Sequence, residues 1–157
     1  MGVGFMVMGL YESFLYSFLA TIAFAVLFQA PKRTLIISGV IGAIGWVVFV
    51  YLRQYLEYNS FHANFLATVA LALISELSAR MFKQPATVFL IPGIIPLVPG
   101  LGMYQGMKQI IEKSYDNGVT TLLTAGTDSA AIALGIMVIA SIFRVIKISA
   151  TKNFWTK

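Results

Sequence analysis

The chain has 157 residues, 59% of them hydrophobic and only 11% charged, with a mean hydropathy of +0.85; a soluble domain of this size could not hide so much apolar surface, so the composition describes an all-α, polytopic membrane helix bundle. With no cysteine and a single histidine, His62, disulfide frameworks, thiol nucleophiles and Cys/His metal sites are excluded, and neither a metal nor another cofactor is expected. The formal charge of +5, from 11 Lys and Arg against 6 acids, is what basic cytoplasmic loops give a membrane chain and does not mark a nucleic-acid partner.

Five apolar stretches are long enough to cross a hydrocarbon core, which takes roughly 20 helical residues. In chain order they run over about 10–30, 34–52, 63–82, 86–111 and 119–145. Short polar connections join them, at Pro31 to Arg33, Arg53 to Ser60, Lys83 to Pro85 and Glu112 to Gly118. No linker is long enough to separate two domains, so residues 1–157 are expected to form a single transmembrane domain. The first stretch offers Ala23-Phe24-Ala25 at a cleavage-like spacing, but Lys32 and Arg33 follow the apolar run and Glu12 sits near its start. A secretory signal carries its positive charge before the run, so this one reads as a retained first span.

In the second span Gly39, Gly42 and Gly45 allow a neighbouring helix to approach closely. In the third, Glu76 and Arg80 stand four residues apart with the acid first, the favourable order for a helical ion pair. Two readings stay open there: a local neutral pair, or an Arg80 that reaches for the cytoplasmic interface and leaves Glu76 to handle a proton or a substrate carboxylate. Glu12, near the outer end of the first span, is either simply wet or functional.

The fourth stretch carries the strongest signal, Pro92-Gly93-Ile94-Ile95-Pro96-Leu97-Val98-Pro99-Gly100-Leu101-Gly102. Each proline lacks the N–H that would bond four residues back, so the helix is expected to break between Ile91 and Gly100. Broken backbone at membrane depth survives only beside protein or a water-filled cavity, and transporters place their sites at such breaks. The second half-helix, starting near Gly100, presents free amides and the positive end of its dipole. A small carboxylate could bond the amides of Leu101, Gly102 and Met103, with Gly100 and Gly102 permitting close approach and Thr87 and Gln105 adding side-chain contacts. The bland alternative is a re-entrant turn sealed by its neighbours.

In the fifth span Asp128 lies about ten residues past Val119, about 15 Å deep and near the midplane, at a depth similar to that of the break. Its surroundings, Thr124-Ala125-Gly126-Thr127-Asp128-Ser129-Ala130-Ala131, are small and hydroxylated. Asp128 is either a proton-exchanging acid or a structural cap on the broken helix. Ala125, Ser129 and Ala133, repeating every four residues, imply a tightly packed partner helix.

Orientation follows from the basic residues. Lys32, Arg33, Arg80, Lys83, Arg144, Lys147, Lys152 and Lys157 fall on one side, and Arg53, Lys108 and Lys113 on the other. That split places the N-terminus outside and the C-terminus in the cytoplasm. Tyr51, Tyr55, Tyr58, Tyr104, Tyr115 and Trp155 lie near span ends, as interfacial aromatics do, although Trp46 does not.

The run from Glu76 through Arg80, Pro85 and Thr87, followed by the proline-glycine string from Ile91 to Gly100, resembles the threonine/serine exporter family, in particular the short C-terminal-half subunit of its split members. The resemblance covers nearly the whole chain. It implies a bacterial inner-membrane secondary exporter of small carboxylate-bearing metabolites, threonine and serine in fused members or a dicarboxylate such as succinate in split ones. It also implies a larger partner subunit carrying the N-terminal half, with further assembly of the pair as a homo-oligomer. On that resemblance Glu76, Arg80, Pro85, Pro92, Gly93, Pro96, Pro99, Gly100 and Asp128 are the positions to carry over. Five spans are few for an alternating-access machine built from two opposed halves, which agrees with a half-transporter.

The mechanism this predicts docks a substrate carboxylate at the second half of the broken span, while Asp128 or Glu76 exchanges a proton that couples export to the gradient. The alternatives are a passive channel, which would share the break but lack coupling, and a structural or regulatory subunit, which would need only the packing features. Enzymatic activity is not expected, because the sequence carries no nucleophile-base pair, metal cluster or phosphate loop.

Overall fold

The computed structural model describes residues 9–152, with side chains characterised as far as Val145. Trp155 and Lys157, assigned above to the cytoplasmic end, lie outside the described residues, as do the side chains of Lys147 and Lys152. Six α-helices follow one another: α1 (Leu10–Leu27), α2 (Leu35–Gln54), α3 (Ser60–Phe82), α4 (Thr87–Ile94), α5 (Gly100–Ile111) and α6 (Tyr115–Lys152), with 3-10 turns at Lys32–Thr34 and Ile95–Leu97. The described residues contain no strand. Four helices are long and apolar enough to cross a membrane, or five spans if the bent α4–α5 pair counts as one.

Helices α1 to α4 and the C-terminal part of α6 make a bundle. On α1 the buried residues are Ser13, Ser17, Thr21 and Ala25, one small residue per turn. The glycines of α2 close on that stripe: a Cβ at Gly39 would meet Ile22 and Phe18 at 2.7 and 2.9 Å, and one at Gly42 would collide with Thr21. On its other side Gly45 receives Leu71 of α3. The apolar centre joins Ile41, Ala67, Leu71, Phe89, Leu97 and Ile132, drawn from α2, α3, α4, the 3-10 turn after it, and α6.

The return from α3 differs from expectation in a way that hydrogen bonding explains. Lys83 ends α3 in the left-handed region at φ 52°, and α4 then runs straight through Pro92. That proline offers no N–H to Val88 four residues back; the hydroxyl of Ser38 on α2 donates to the Val88 carbonyl instead, at 3.4 Å. Past Pro92 the chain tightens to i→i−3 bonding, with the Ile95 amide donating to the Pro92 carbonyl, which accommodates Pro96 in the second position of a 3-10 turn. The break is therefore confined to Val98 and Pro99, where the axis bends by 43°.

Pairings along α6 settle the sense of the broken segment. Ser60 meets Asp128, Thr68 and the Phe65 carbonyl meet Gly135, and Arg80 lies over Phe143. Both residue series rise together, so α3 and α6 run parallel. Helix α4 runs back along α3, with Phe89 beside Phe82 and Gly93 beside Leu71, and α5 continues it rather than doubling back. The α4–α5 pair thus bends by 43° without reversing its direction.

Candidate functional site

Helix α5 packs on α6 in antiparallel sense: Gly102 faces Ala125, Gly106 faces Leu122, and Gly118 faces both Gly106 and Ile110. Contact at Gly118 is so close that a Cβ there would lie 2.9 Å from the Gly106 carbonyl oxygen and 3.0 Å from the Ile110 amide nitrogen. Thr121 adds a side-chain bond, its hydroxyl donating to Gln109 Oε1 at 2.9 Å. Because Asp128 is level with the first residue of α3, the 13 residues from Asp128 back to Tyr115 carry this hairpin ~20 Å past the end of α3.

Asp128 is only 7% exposed. Ser60 Oγ donates to its Oδ2 at 2.7 Å, while its Oδ1 has no hydrogen-bond partner. Behind Ser60, Asn64 Nδ2 reaches the serine hydroxyl at 3.5 Å, and Asn64 Oδ1 is also without a partner. Among the described residues no cationic side chain pairs with Asp128. The carboxylate is thus held by one oxygen, while the other is buried without a partner.

The chain break lies alongside. Leu97 shares the apolar cluster with Ile132, one turn after Asp128, and Gly102 abuts Ala125, about one turn before it. At the start of α5 the Gly100 amide donates to the Val98 carbonyl at 2.7 Å and the Met103 amide to the Pro99 carbonyl at 3.1 Å. Met103 is therefore not available to a ligand, which corrects the three-amide expectation. The amides of Leu101 and Gly102 have no acceptor among the described residues. Gly100 is exposed, and nothing lies within 4 Å of the place a Cβ would take there, so the approach to these two amides is open.

The structure divides the other residues named from sequence. Pro99, Gly100, Leu101 and Gly102 come together at the break, and Gln105 is one turn further along α5, half-buried. Thr87 is not with them: it opens α4 at the far end of the segment, where it lines a cavity of ≈ 360 Å³ with Pro92, Phe28 and Pro31. Gly93 is buried behind Leu71, and Pro96 is half-buried in the 3-10 turn. The expected Glu76–Arg80 ion pair is not formed; among the described residues the only ion pair is Lys108 with Glu112, at 3.7 Å. The Arg80 guanidinium instead sits 4.5 Å from the ring centre of Phe143, and Glu76 is half-buried without it. Glu12 is exposed in the first turn of α1. The Ala125, Ser129, Ala133 repeat is not one buried face either, since Ser129 and Ala133 are exposed and the packed side runs through Ala125, Asp128, Ile132, Gly135 and Ile139.

The height of Asp128 in the bundle follows from its partner on α3. Asp128 is 13 residues into α6, because the helix starts at Tyr115, and it lies level with the N-terminus of α3 rather than with its middle. The partners that sequence reasoning missed are Ser60 and Asn64. Ser60 had been left in a polar connection, one turn before the apolar stretch from residue 63; the signal that finds both is their four-residue spacing on one face of α3.

Against known proteins, a sequence model of the family described as Threonine/Serine exporter, ThrE matches residues 13–142. A threonine/serine exporter of Corynebacterium glutamicum is 30% identical over 115 residues, which cover 73% of this chain and 23% of that protein. The chain thus spans less than a quarter of the length of that curated relative. No solved structure matches it.

Proposed function

The chain belongs to the threonine/serine exporter family, and on that premise we propose that it is a transporter subunit, not an enzyme: the short C-terminal-half chain of a split exporter in the bacterial inner membrane. In this reading residues 1–157 act as one transmembrane domain with the N-terminus outside and the C-terminus cytoplasmic, and a separate, larger subunit supplies the N-terminal half. The small share of the relative that this chain covers supports a partner of that kind. The pair assembles further into a homo-oligomer, as transporters that need two opposed halves require.

One observation carries the substrate reading. Two unsatisfied groups of opposite polarity flank the α5–α6 contact: the amides of Leu101 and Gly102 at the positive end of α5, where Gly102 meets Ala125, and Asp128 Oδ1, three residues beyond Ala125 on α6. A free amino acid has the matching pair of charges on one carbon. Its carboxylate fits the α5 amides, and its ammonium fits the buried, unpartnered oxygen of Asp128 once the break opens a way to it. A dicarboxylate such as succinate would set its second carboxylate against Asp128, like charge on like, and is the poorer fit. Serine and threonine are therefore the preferred substrates of this site.

The same geometry supplies coupling. A proton on Asp128 cancels the charge that holds the ammonium, so proton and amino acid compete for one oxygen. Competition at a shared site is what an exchanger needs: a proton entering displaces the amino acid leaving, and the inward proton gradient drives export. Efflux of preloaded serine, threonine and succinate from vesicles, with and without the larger subunit, tests the reading. Serine and threonine efflux that requires both chains and collapses with an uncoupler is the expected result. Uncoupler-insensitive efflux, or succinate efflux without the amino acids, would contradict it.

A further inference from the structure

Asp128 lies at one end of α3, so a proton bound there has the length of that helix still to travel. Helix α3 carries a polar row on one face: at 100° per residue Ser60, Asn64, Thr68, Ser75 and Ser78 fall within about 80° of one another. Asn64, Thr68 and Ser75 are 2%, 0% and 0% exposed. Asn64 Oδ1, Thr68 Oγ1 and Ser75 Oγ, like Asp128 Oδ1, have no hydrogen-bond partner.

That is not the habit of hydroxyls elsewhere in this chain. Ser17, Thr21, Thr120, Thr124 and Ser129 each donate to the carbonyl four residues back, at 2.7–2.9 Å. Thr68 and Ser75 are mid-helix hydroxyls of the same kind and make no such bond. A buried polar atom left in this way costs free energy, and the common remedy is water.

The row is interrupted once. Leu71, fully buried, takes the same face between Thr68 and Ser75 and belongs to the apolar cluster with Ile41, Phe89 and Ile132. It is seated between two glycines: a Cβ on Gly45 would come within 2.6 Å of its Cδ1, and one on Gly93 within 3.4 Å. Gly93 lies in α4, the helix that leads into the bend at Val98 and Pro99.

We propose that this row holds two short files of water, from Asp128 to Thr68 and at Ser75 and Ser78, that carry protons between Asp128 and the far end of α3, with Leu71 as the dry plug between them. The inference rests on the reading of Asp128 as the proton-exchanging group. A proton leaving Asp128 restores the carboxylate and passes from water to water, so no other side chain changes charge. Hydroxyl and amide oxygens serve such a file because they accept hydrogen bonds without titrating. An apolar constriction stops the file by excluding water, and a shift of α4 that carries Gly93 away from Leu71 frees that side chain, so the path opens only when the broken segment moves.

The test uses vesicles containing the full chain with its exporter partner and no amino acid. Proton entry is followed with a pH-sensitive dye under an imposed potassium diffusion potential. Leu71→Ala is expected to raise passive proton entry by about tenfold or more, by wetting the constriction, and adding Thr68→Val is expected to reverse most of that leak. Thr68→Val alone, which swaps a hydroxyl for a methyl of the same shape, is expected to slow serine export ~tenfold at unchanged protein level. A Leu71→Ala protein that is present in the membrane and proton-tight overturns the proposal, as does a leak that admits potassium as readily as protons. Should Leu71→Ala fail to accumulate, Thr68→Val decides: unchanged export with a raised melting temperature, the outcome for a hydroxyl that is merely buried and dry, also overturns it. The wider reading fails separately, if Asp128→Asn leaves export intact while Leu71→Ala still leaks and Thr68→Val still closes the leak.

Discussion

Glycine closes both parts of this molecule, but what it admits differs. Where α2 packs on α1 and α3, the notches at Gly39, Gly42 and Gly45 receive side chains, Phe18 and Ile22, Thr21, and Leu71, and among the described residues only Gly135 of α6 meets a carbonyl of the bundle, that of Phe65. In the α5–α6 hairpin, Gly106 and Gly118 bring backbone against backbone, with the Gly106 carbonyl and the Ile110 amide within about 3 Å of where a Cβ would stand. A side chain in a notch can change rotamer, whereas two main chains in contact cannot yield without separating. The bundle can therefore adjust around Leu71, and the hairpin holds one register that fixes Gly102 beside Ala125 and the α5 amides at the height of Asp128.

The two parts also differ in what covers them. Bundle helices bury a face against two or more neighbours, while α5 packs on α6 and exposes Leu101, Tyr104, Met107 and Ile111. Part of the hairpin projects past the end of α3, so its apolar side is left uncovered by the rest of this chain.

Substitutions sharpen the contrast. Gly118→Val should have the largest effect on folding, about 3 kcal/mol or more, because the clash is with backbone; thermal unfolding in detergent measures it. The chain has no native cysteine, so a cysteine pair placed at Gly102 and Ala125 should crosslink in the parent and fail to do so when Gly118→Val is added. Gly45→Val should cost less, roughly 1–3 kcal/mol, since Leu71 can move aside; a cost equal to that of Gly118→Val would erase the distinction drawn between the two parts. Ser38→Ala should cost about 1 kcal/mol by leaving the Val88 carbonyl bare beneath Pro92. Thr121→Val should cost about 0.5 kcal/mol, the value of one partly exposed hydrogen bond. Gly126→Ala should cost nothing measurable, because no atom lies within 4 Å of the new methyl; a clear loss there would mean that a partner chain packs on that face.

Much of this was legible in the sequence, and what was not has a physical reason. The apolar runs fall on helices of the structure, with most ends within a few residues, since hydropathy over a window reports burial in lipid or protein directly. The proline string marked the bend, but not its place: Pro92 passes through a continuous helix because Ser38, more than fifty residues earlier in sequence, supplies the missing donor. The Glu76–Arg80 spacing permits an ion pair, and the nearby Phe143 ring offers Arg80 a different partner. Asp128 stood out as an acid in an apolar run, yet its height could not be counted from the start of its own helix, because α6 extends past α3 by the length of the hairpin. Register between distant helices decides such matters, and it is set by contacts such as Gly135 on Thr68 that no local pattern reveals.

The central claim is that Asp128 binds either a substrate ammonium or a proton, and proton uptake measured during serine efflux tests it most directly. In vesicles carrying both subunits, serine leaving down its own gradient should draw protons the opposite way, and Asp128→Asn should abolish both flows while the protein remains assembled. Serine export that continues in Asp128→Asn with its proton counterflow intact would contradict the account.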